Sequence, residues 1–278
     1  MKTYIYQIET ISNLHVGSGE TNQGVVDNLV QRDAITNFPV INASSLKGAL
    51  RQHFLELSQQ KDAEINETFI NHVFGSSINN KGRDTDNQKA GAYRFFDARF
   101  LSIPVRSDKS LYLMATCPLV LKDFCETVRL LNISLETPNF SEIHVDESPI
   151  VLDAAYKDAM IEDIDMKTEY KQIQNFSLLT GTPSVLLSDI MFNRICDDNH
   201  LPVIARNYLD NGQSKNLWYE QVVPRFSRFY FTIMVPDEDK EFDTFNTALT
   251  SSLVQIGGNA SVGNGLCRLS GIYFNNKK

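Results

Sequence analysis

The feature that most constrains the fold is the order of apolar segments near the N-terminus. Residues 3–11 (TYIYQIETI) are rich in β-branched and aromatic side chains and predict a strand. Residues 44–57 predict a helix, which Ser44 or Ser45 can cap. The apolar face of this helix repeats at spacings of four, four and three, through Leu46, Leu50, Phe54 and Leu57. Residues 93–116 predict strands again, so this part of the chain has the order strand, helix, strand.

The same order returns in the C-terminal part of the chain. Residues 217–235 end in the strand-like run FYFTIMV, and residues 268–274 (RLSGIYF) predict the last strand. Between them, residues 241–256 predict an amphipathic helix with Gly257 as its C-terminal stop. One face of this helix carries Phe242, Phe245, Leu249, Leu253 and Ile256. Two strand–helix–strand units predict an α+β fold of the ferredoxin-like or RRM-like type. Such sheets commonly bind RNA, but a fold alone does not determine function.

The middle of the chain lacks this regular pattern. Residues 117–130 predict a short helix, and the polar, glycine-bearing residues 75–92 predict a loop. From about 131 to 215 we expect an insertion that includes a projecting β-hairpin at about 186–208. The chain is therefore predicted to be one domain, 1–278, that carries this insertion.

The net charge of −8 argues at first against a nucleic-acid partner, because phosphate neutralisation supplies most of the affinity for nucleic acids. The charge is unevenly distributed, however. Residues 141–170 contain nine acidic side chains and two lysines, so this segment carries −7 and the other 248 residues carry about −1. An acidic lobe on a nearly neutral body is compatible with a local basic groove elsewhere.

Composition also bears on the compartment. No apolar run approaches the roughly 20 residues that a membrane helix requires, and the alternating N-terminal residues do not resemble a signal peptide. The four cysteines have no C-x-x-C spacing, which favours reduced, buried thiols over a zinc or redox site. We therefore expect a cytoplasmic protein.

Two glycine-bearing loops follow predicted secondary structure. The first contains Gly17 and Gly19, after the first strand. The second contains Gly257, Gly258, Gly263 and Gly265. Neither loop has the Lys-Ser or Lys-Thr of a Walker P-loop, and no G-x-G-x-x-G opens a helix. A small-molecule enzyme that binds phosphate through these loops is therefore disfavoured, although close backbone approach to a ligand is not.

Four segments carry a resemblance to a known family. They are LHVGSGETNQGVVDNLVQRDAITNFPVINASSLKGALR (14–51), GAYRFFDARFLSIPVRS (91–107), LWYEQVVPRFSRFYFTI (217–233) and QIGGNASVGNGL (255–266). In this order they resemble the backbone subunit of the Cmr-type, type III-B CRISPR effector complexes, within the RAMP superfamily. Residues from about 131 to 200 match this family poorly.

The resemblance implies an endoribonuclease. Asp27, in GVVDNLVQRD, matches the family's target-cleaving aspartate, although most loop aspartates only stabilise turns. The RNA's own 2′-hydroxyl can be the nucleophile. A carboxylate can then accept its proton or bind a divalent metal, Mg²⁺ or Mn²⁺. His15 and Glu220 match positions near this site, where proton transfer or phosphate contact is implied for His15. Metal binding or hydrogen-bond support is implied for Glu220.

The resemblance also implies RNA contacts. Gly17, Gly19 and the second glycine loop are expected to face guide RNA. So is the start of the 44–57 helix, with Ser44, Ser45, Lys47 and Arg51, because exposed amides at a helix N-terminus favour phosphate. The tip of the projecting hairpin is expected to flip a nucleotide through Met191 and Phe192, beside Arg194. Single arginines elsewhere are weaker candidates for phosphate contact, namely Arg32, Arg94, Arg99, Arg106, Arg206 and Arg225.

Together these features predict a subunit that stacks on guide RNA into a filament and cuts complementary target RNA at regular intervals. Its expected partners are guide RNA, target RNA, other copies of itself and other subunits of the Cmr-type complex. Two alternatives stay open: a non-catalytic RNA-binding scaffold of the same complex, and an endonuclease that processes guide precursors.

Overall fold

The computed structural model describes residues 1–19, 24–60, 64–76, 89–135, 140, 143–162, 164–173 and 176–272. Most of the predicted loop 75–92 lies outside these residues, from 77 to 88. The described strands are β1 (Lys2–Thr10), β2 (Val40–Ile41), β3 (Arg94–Phe95), β4 (Ala98–Val105), β5 (Leu113–Thr116), β6 (Ile150–Val151), β7 (Met160–Ile161), β8 (Ile164–Lys167), β9 (Glu169–Tyr170), β10 (Ser184–Leu186), β11 (Val203–Asp210), β12 (Gln213–Gln221), β13 (Arg228–Val235), β14 (Leu253–Gln255) and β15 (Leu266–Gly271). The described α-helices are α1 (Ala43–Gln59), α2 (Glu67–Phe74), α3 (Pro118–Leu130), α4 (Ser177–Thr180), α5 (Asp189–Cys196) and α6 (Phe242–Ser251).

The centre of the main sheet consists of four strands in the order β15, β1, β13, β4, with antiparallel neighbours. Helix α1 lies in the connection from β1 to β4, and α6 lies in the connection from β13 to β15. This strand–helix–strand order, used twice, is that of the ferredoxin-like fold. The predicted α+β, ferredoxin-like fold is confirmed.

The two connecting helices share one core. The rings of Phe54 in α1 and Phe245 in α6 are stacked with centroids 5.1 Å apart and planes at 4°. Both residues belong to the apolar faces that the helical spacing predicts, and both are fully buried. None of the helices in the described part of the chain has the length and apolar character that crossing a membrane needs.

The start of α1 differs from the prediction. The helix begins at Ala43, and its N-cap residue Asn42 makes no side-chain capping bond. Instead, the Ala43 N–H donates to Oδ1 of the distant Asp97 at 2.6 Å. Ser44 and Ser45 therefore lie inside the first turn rather than at the cap, a position that local sequence patterns could not reveal.

The second predicted helix is shorter than expected. Helix α6 ends at Ser251, and Leu253–Gln255 form β14, which pairs with β15. Gly257 therefore follows a strand and does not stop a helix. The apolar spacing through Leu253 misled the prediction, because hydrogen bonds to β15 outweigh the helical pattern at this point.

The predicted insertion extends the main sheet. Strand β10 pairs in parallel with β5 and antiparallel with β6, and β6 pairs with β9. Phe140 and Phe176, from the same segment, belong to the core cluster that also holds Phe54. The proposed boundary near residue 215 lies inside β12.

The projecting hairpin is not where it was predicted. Residues 189–196 form α5, in which Phe192 is 0% exposed and Met191 packs against the core, so neither forms an apolar tip. The hairpin is instead β11–β12, turned by Asn211 and Gly212, whose φ values of 49° and 79° suit a type I′ turn. Near that turn, Tyr208 and Leu209 are 59% and 58% exposed. Arg194 is exposed in the last turn of α5 and is not part of the hairpin strands.

Candidate active site

The candidate site is organised by the edge of β12 that faces away from β11. The Asp27 N–H donates to the Tyr219 carbonyl at 3.0 Å, and the Tyr219 N–H donates back to Asp27 Oδ2 at 2.7 Å. Two residues further on, the Gln221 N–H donates to the Asn28 carbonyl at 2.9 Å. These bonds hold the loop that carries Asp27 as a short parallel bridge along β12.

The Asp27 carboxylate is held in place through one of its two oxygens, Oδ2. The residue is exposed, and within the described ranges no hydrogen bond engages its second oxygen, Oδ1. An exposed carboxylate oxygen of this kind can accept a proton or ligate a hard cation.

His15 is attached to the same strand edge. Its Nδ1 lies 2.7 Å from the Gln221 carbonyl oxygen, which can only accept, so Nδ1 carries the proton. In the neutral ring Nε2 is then an acceptor, and it lies beside Gly17. Tyr219 and Gln221 are two positions apart on one strand, which corresponds to about 6.6 Å. The edge of β12 therefore anchors Asp27 and His15 at neighbouring positions.

Glu220 lies between these two anchors in sequence, but its carboxylate is fully engaged. Oε1 accepts a hydrogen bond from Trp218 Nε1 at 2.9 Å. Oε2 accepts from Arg206 Nε at 3.0 Å and from Asn259 Nδ2 at 2.7 Å. Burial acts to raise the pKa of Glu220, but the hydrogen bonds from Trp218 and Arg206 and the charge of Arg206 outweigh it and hold the pKa below its usual range. Glu220 thereby ties the hairpin to the second glycine loop.

Replacing Glu220 by glutamine is expected to lower the free energy of unfolding at pH 7 by about 1.5–3 kcal/mol, because charge-assisted hydrogen bonds are lost. The folded-state pKa is depressed, so this contribution is complete above the unfolded pKa of about 4.3. It is lost as the pH falls through the lower folded value. Denaturant unfolding of both proteins at pH 7 and at decreasing pH measures the difference, and a difference that stays constant on acidification would contradict the role of the charge.

Gln221 is a further organising residue that the sequence did not point to. It is 0% exposed, and its Oε1 accepts from the Val30 N–H and from Arg32, each at 3.3 Å. Its Nε2 donates to the Asp198 carbonyl at 3.1 Å. Arg32, a predicted phosphate contact, also forms an ion pair with Asp198 at 2.9 Å. Its guanidinium is mostly buried and already has protein partners.

Of the three hydrogen-bond partners of Glu220, the local sequence pattern indicates only Trp218. Trp218 lies two positions from Glu220, and alternate residues of a strand point to the same face. Asn259 is remote in sequence and reaches Glu220 only because the glycine loop folds over the hairpin base. No local pattern predicts that contact.

The second glycine loop, which begins at Gly257, lies directly against His15. Gly258 N–H donates to the His15 carbonyl at 2.9 Å. Gly257 has φ +78°, and a Cβ there would collide with the same carbonyl oxygen. Gly263 has φ +84°, but a Cβ there would meet none of the described residues within 4 Å, whereas a Cβ on Gly265 would collide with the Ile256 carbonyl. Gly257 and Gly258 thus belong to the site, and Gly265 serves packing against β14.

Replacing Gly257 by alanine is expected to destabilise the fold more than replacing Gly263. Both have positive φ, so each alanine costs about 1 kcal/mol or more from backbone strain. Only Gly257→Ala adds the collision with His15, for about 1–3 kcal/mol more. Thermal unfolding of the two variants measures this difference, and equal losses would contradict the close packing against His15.

One face of α1, from Ser44 to Glu56, and the two glycine loops form one cleft of about 430 Å³. Predicted RNA contacts lining it are Gly17, Ser44, Ser45 and Gly257. Gln31 ties its walls together, because Nε2 donates to Ser45 Oγ at 3.0 Å and to the Gly17 carbonyl at 3.2 Å. The structure therefore assembles these four positions from separate segments of the chain.

Lys47 and Arg51 do not line this cleft. The Lys47 ammonium lies over the Phe95 ring at 5.9 Å, and Arg51 donates to the Gly75 carbonyl. Both side chains leave α1 toward β3 and the end of α2. Gly19 lies at the end of a described segment and has φ +78°, and a Cβ at this position would meet no atom of the described residues within 4 Å.

The described residues of the site offer a metal ion one available carboxylate oxygen, Oδ1 of Asp27. Within the described residues no group of three or more His, Cys, Asp and Glu side chains could hold a metal. Asp27 Oδ1 can supply one ligand, and Mg²⁺ commonly retains waters and takes the rest from phosphate oxygens. The site thus fits a divalent ion shared with RNA and does not fit a closed protein cage.

The sheet order and the loop-and-hairpin site define a ferredoxin-like α+β protein. Within that class the chain belongs to the RAMP superfamily, whose family model matches residues 7–268.

Comparison with individual proteins agrees with this assignment. The chain is 29% identical to the Cmr endoribonuclease Cmr4 of Pyrococcus furiosus, over 97% of this chain and 96% of that protein. A chain in the cryo-EM structure of the type III-B Cmr-beta complex in its apo state matches with a TM-score of 0.77 and 24% identity, over 98% of this chain and 97% of that one. The crystal structure of oligomeric Cmr4 from Pyrococcus furiosus matches with a TM-score of 0.68 and 23% identity, over 98% of each chain. The resemblance predicted from the sequence segments is confirmed.

Proposed function

We propose that this chain is the guide-RNA-binding backbone subunit of a type III-B effector complex and cleaves complementary target RNA at regular intervals. The observation that carries the proposal is the edge of β12, which holds the exposed Asp27 carboxylate through Tyr219 and, two positions further on, the buried His15 imidazole through the Gln221 carbonyl. It occurs in a chain similar over its whole length to the Cmr endoribonuclease of Pyrococcus furiosus.

The chemistry is a transesterification within the RNA. The 2′-hydroxyl loses its proton to Asp27 Oδ1 or to His15 Nε2, and its oxygen attacks the adjacent phosphorus. The bond to the 5′-oxygen breaks in line, and that oxygen takes up a proton from the acid form of a site residue or from water. The products are a 2′,3′-cyclic phosphate and a 5′-hydroxyl. A divalent ion such as Mg²⁺ or Mn²⁺, held by Asp27 and phosphate oxygens, would stabilise the charge that develops on phosphorus.

The remaining parts of the site bind and shape the RNA. The cleft at the start of α1 would take the guide backbone through Ser44, Ser45 and the backbone of Gly257, while Glu220 keeps the hairpin and glycine loop in register. The hairpin β11–β12, with exposed Tyr208 and Leu209, would separate neighbouring bases and let the phosphate reach in-line geometry.

The proposal includes partners. Further copies of this chain would stack along the guide, as the oligomeric form of the Pyrococcus furiosus relative suggests. Guide pairing would then select the target, and the complex would act in the cytoplasm.

Incubation of the reconstituted complex with labelled target RNA, in Mg²⁺ or in EDTA, tests this function. We expect regularly spaced fragments with 2′,3′-cyclic phosphate ends in Mg²⁺ and no cutting in EDTA. Cleavage of a guide precursor by the isolated chain without metal would instead identify a processing nuclease. Target binding without any cleavage would identify a scaffold.

A further inference from the structure

A second cluster of aromatic and cationic side chains lies outside the candidate active site. The rings of Tyr112 and Phe226 are stacked, with centroids 5.4 Å apart and planes at 19°. The Arg225 guanidinium lies over the Phe226 ring, 4.9 Å from its centroid. We call Tyr112, Arg225 and Phe226 the stacking platform.

The stacking platform is partly exposed and locally strained. Arg225 is exposed, and Tyr112 and Phe226 are each half-buried. Phe226 has φ +73°, a left-handed conformation that is rare for a bulky residue. It is held there by the hydrogen bond from its N–H to the Thr10 carbonyl. Strain of this kind is concentrated at functional sites, because surrounding contacts must maintain it.

The charge around the platform is positive, in contrast to the chain as a whole. Within the described ranges Arg225 has no ion-pair partner. Arg228, which interacts electrostatically with Tyr112, shares Glu9 with Arg268 at 3.7 and 3.2 Å. Arg225 and the two arginines that share Glu9 together provide three guanidinium groups for one carboxylate, and this excess of positive charge suits a polyanion.

The platform is also connected to the candidate active site. The Arg225 N–H donates to Asn13 Oδ1 at 3.1 Å. Nearby, Leu14 and Val223 exchange hydrogen bonds of 2.8 Å, and the next residue after Leu14 is His15. The platform and His15 therefore belong to one hydrogen-bonded pair of segments, with Asn13 and Leu14 on one and Val223 and Arg225 on the other.

We infer that the stacking platform binds an unpaired base of single-stranded RNA, with the arginines on its phosphates. The inference rests on the proposed function only in taking RNA as the ligand. Bases stack readily on aromatic rings and on arginine planes, without regard to sequence. A protein partner could also use tyrosine and arginine, but the unbalanced positive charge favours a phosphate backbone.

The binding of fluorescein-labelled oligoadenylate to the purified full-length chain, followed by anisotropy, tests the inference. Tyr112→Leu removes the ring and is expected to weaken binding about tenfold, whereas Tyr112→Phe keeps the ring and the affinity. Arg225→Lys keeps the charge but not the plane, and is expected to weaken binding several-fold. Tyr170→Leu removes another exposed tyrosine and is expected to have no effect.

Each outcome has a defined meaning. Unchanged affinity in both Tyr112→Leu and Arg225→Lys would overturn the inference. If the same variants bound RNA normally but failed to join the complex, the platform would be a protein interface instead. Thermal unfolding shows whether Tyr112→Leu folds, and Arg225→Lys decides the question if it does not. Target cleavage by the complex is measured separately, so loss of the proposed function would leave the binding result intact.

Discussion

Replacing Asp27 by asparagine is expected to lower the single-turnover rate of target cleavage by the reconstituted complex about 100-fold or more. The asparagine oxygen can still accept the Tyr219 N–H, so the loop keeps its place on β12. What is lost is the negative charge, and with it the capacity to take up a proton or bind a cation. Target affinity, measured with the same complex, is expected to stay at the wild-type value.

Asp33 provides a matched control for this experiment. It lies in the same loop, and its Oδ1 accepts hydrogen bonds from the Ile35 and Thr36 N–H groups, which is a local turn-stabilising role. Asp33→Asn preserves those acceptor positions and is expected to cleave at the wild-type rate. Full cleavage by Asp27→Asn would show that the cutting group lies elsewhere, and equal losses in both variants would point to disturbance of the loop.

The outer elements of the fold were predictable from the sequence because their apolar residues repeat with a clear period. Phe54 and Phe245 meet in the core as the helical faces imply. The prediction failed at Leu253, where pairing with β15 overrides the helical spacing. It is the long-range partner, absent from the local pattern, that decides between helix and strand there.

The misplaced hairpin could have been avoided. Ser188 accepts a hydrogen bond from the Met191 N–H at 3.3 Å, and Asp189 follows it in the first turn, which is a recognisable start of a helix. Asn211-Gly212 between two polar-apolar runs is a strong hairpin signal. The Ser188-Asp189 helix start and the Asn211-Gly212 turn are both visible in the sequence.

The candidate site was predictable only in part. The position of Asp27 came from the resemblance of its segment to a family, and nothing in the sequence indicated that β12 would hold it. Likewise, the engagement of both Glu220 oxygens depends on Arg206 and Asn259, which meet only in the folded chain. Hydrogen-bond partners that are distant in sequence leave no local pattern, and they decide whether a carboxylate remains available for chemistry.

Replacing Phe192 by alanine is expected to lower the free energy of unfolding by about 3–5 kcal/mol, the usual cost of removing a buried aromatic ring. The Phe192 ring contacts Phe38 edge-on, with centroids 5.2 Å apart, and lies 6.0 Å from the ring of Phe100. Phe38 comes from the segment that follows the loop bearing Asp27, so the cavity would loosen the support of the candidate site as well. Urea unfolding at equilibrium measures the loss.

Two exposed positions separate this packing role from a role in flipping a nucleotide. Arg194→Ala, on the same helix, is expected to change stability by no more than about 0.5 kcal/mol. Leu209→Ser, near the turn of the β11–β12 hairpin, is expected to leave stability unchanged but to slow target cleavage, because an apolar wedge would be lost. If the Phe192→Ala protein were stable but cleaved slowly, α5 would be the element that separates the bases. An unstable one, together with a stable but slow Leu209→Ser protein, would assign core packing to α5 and base separation to the hairpin.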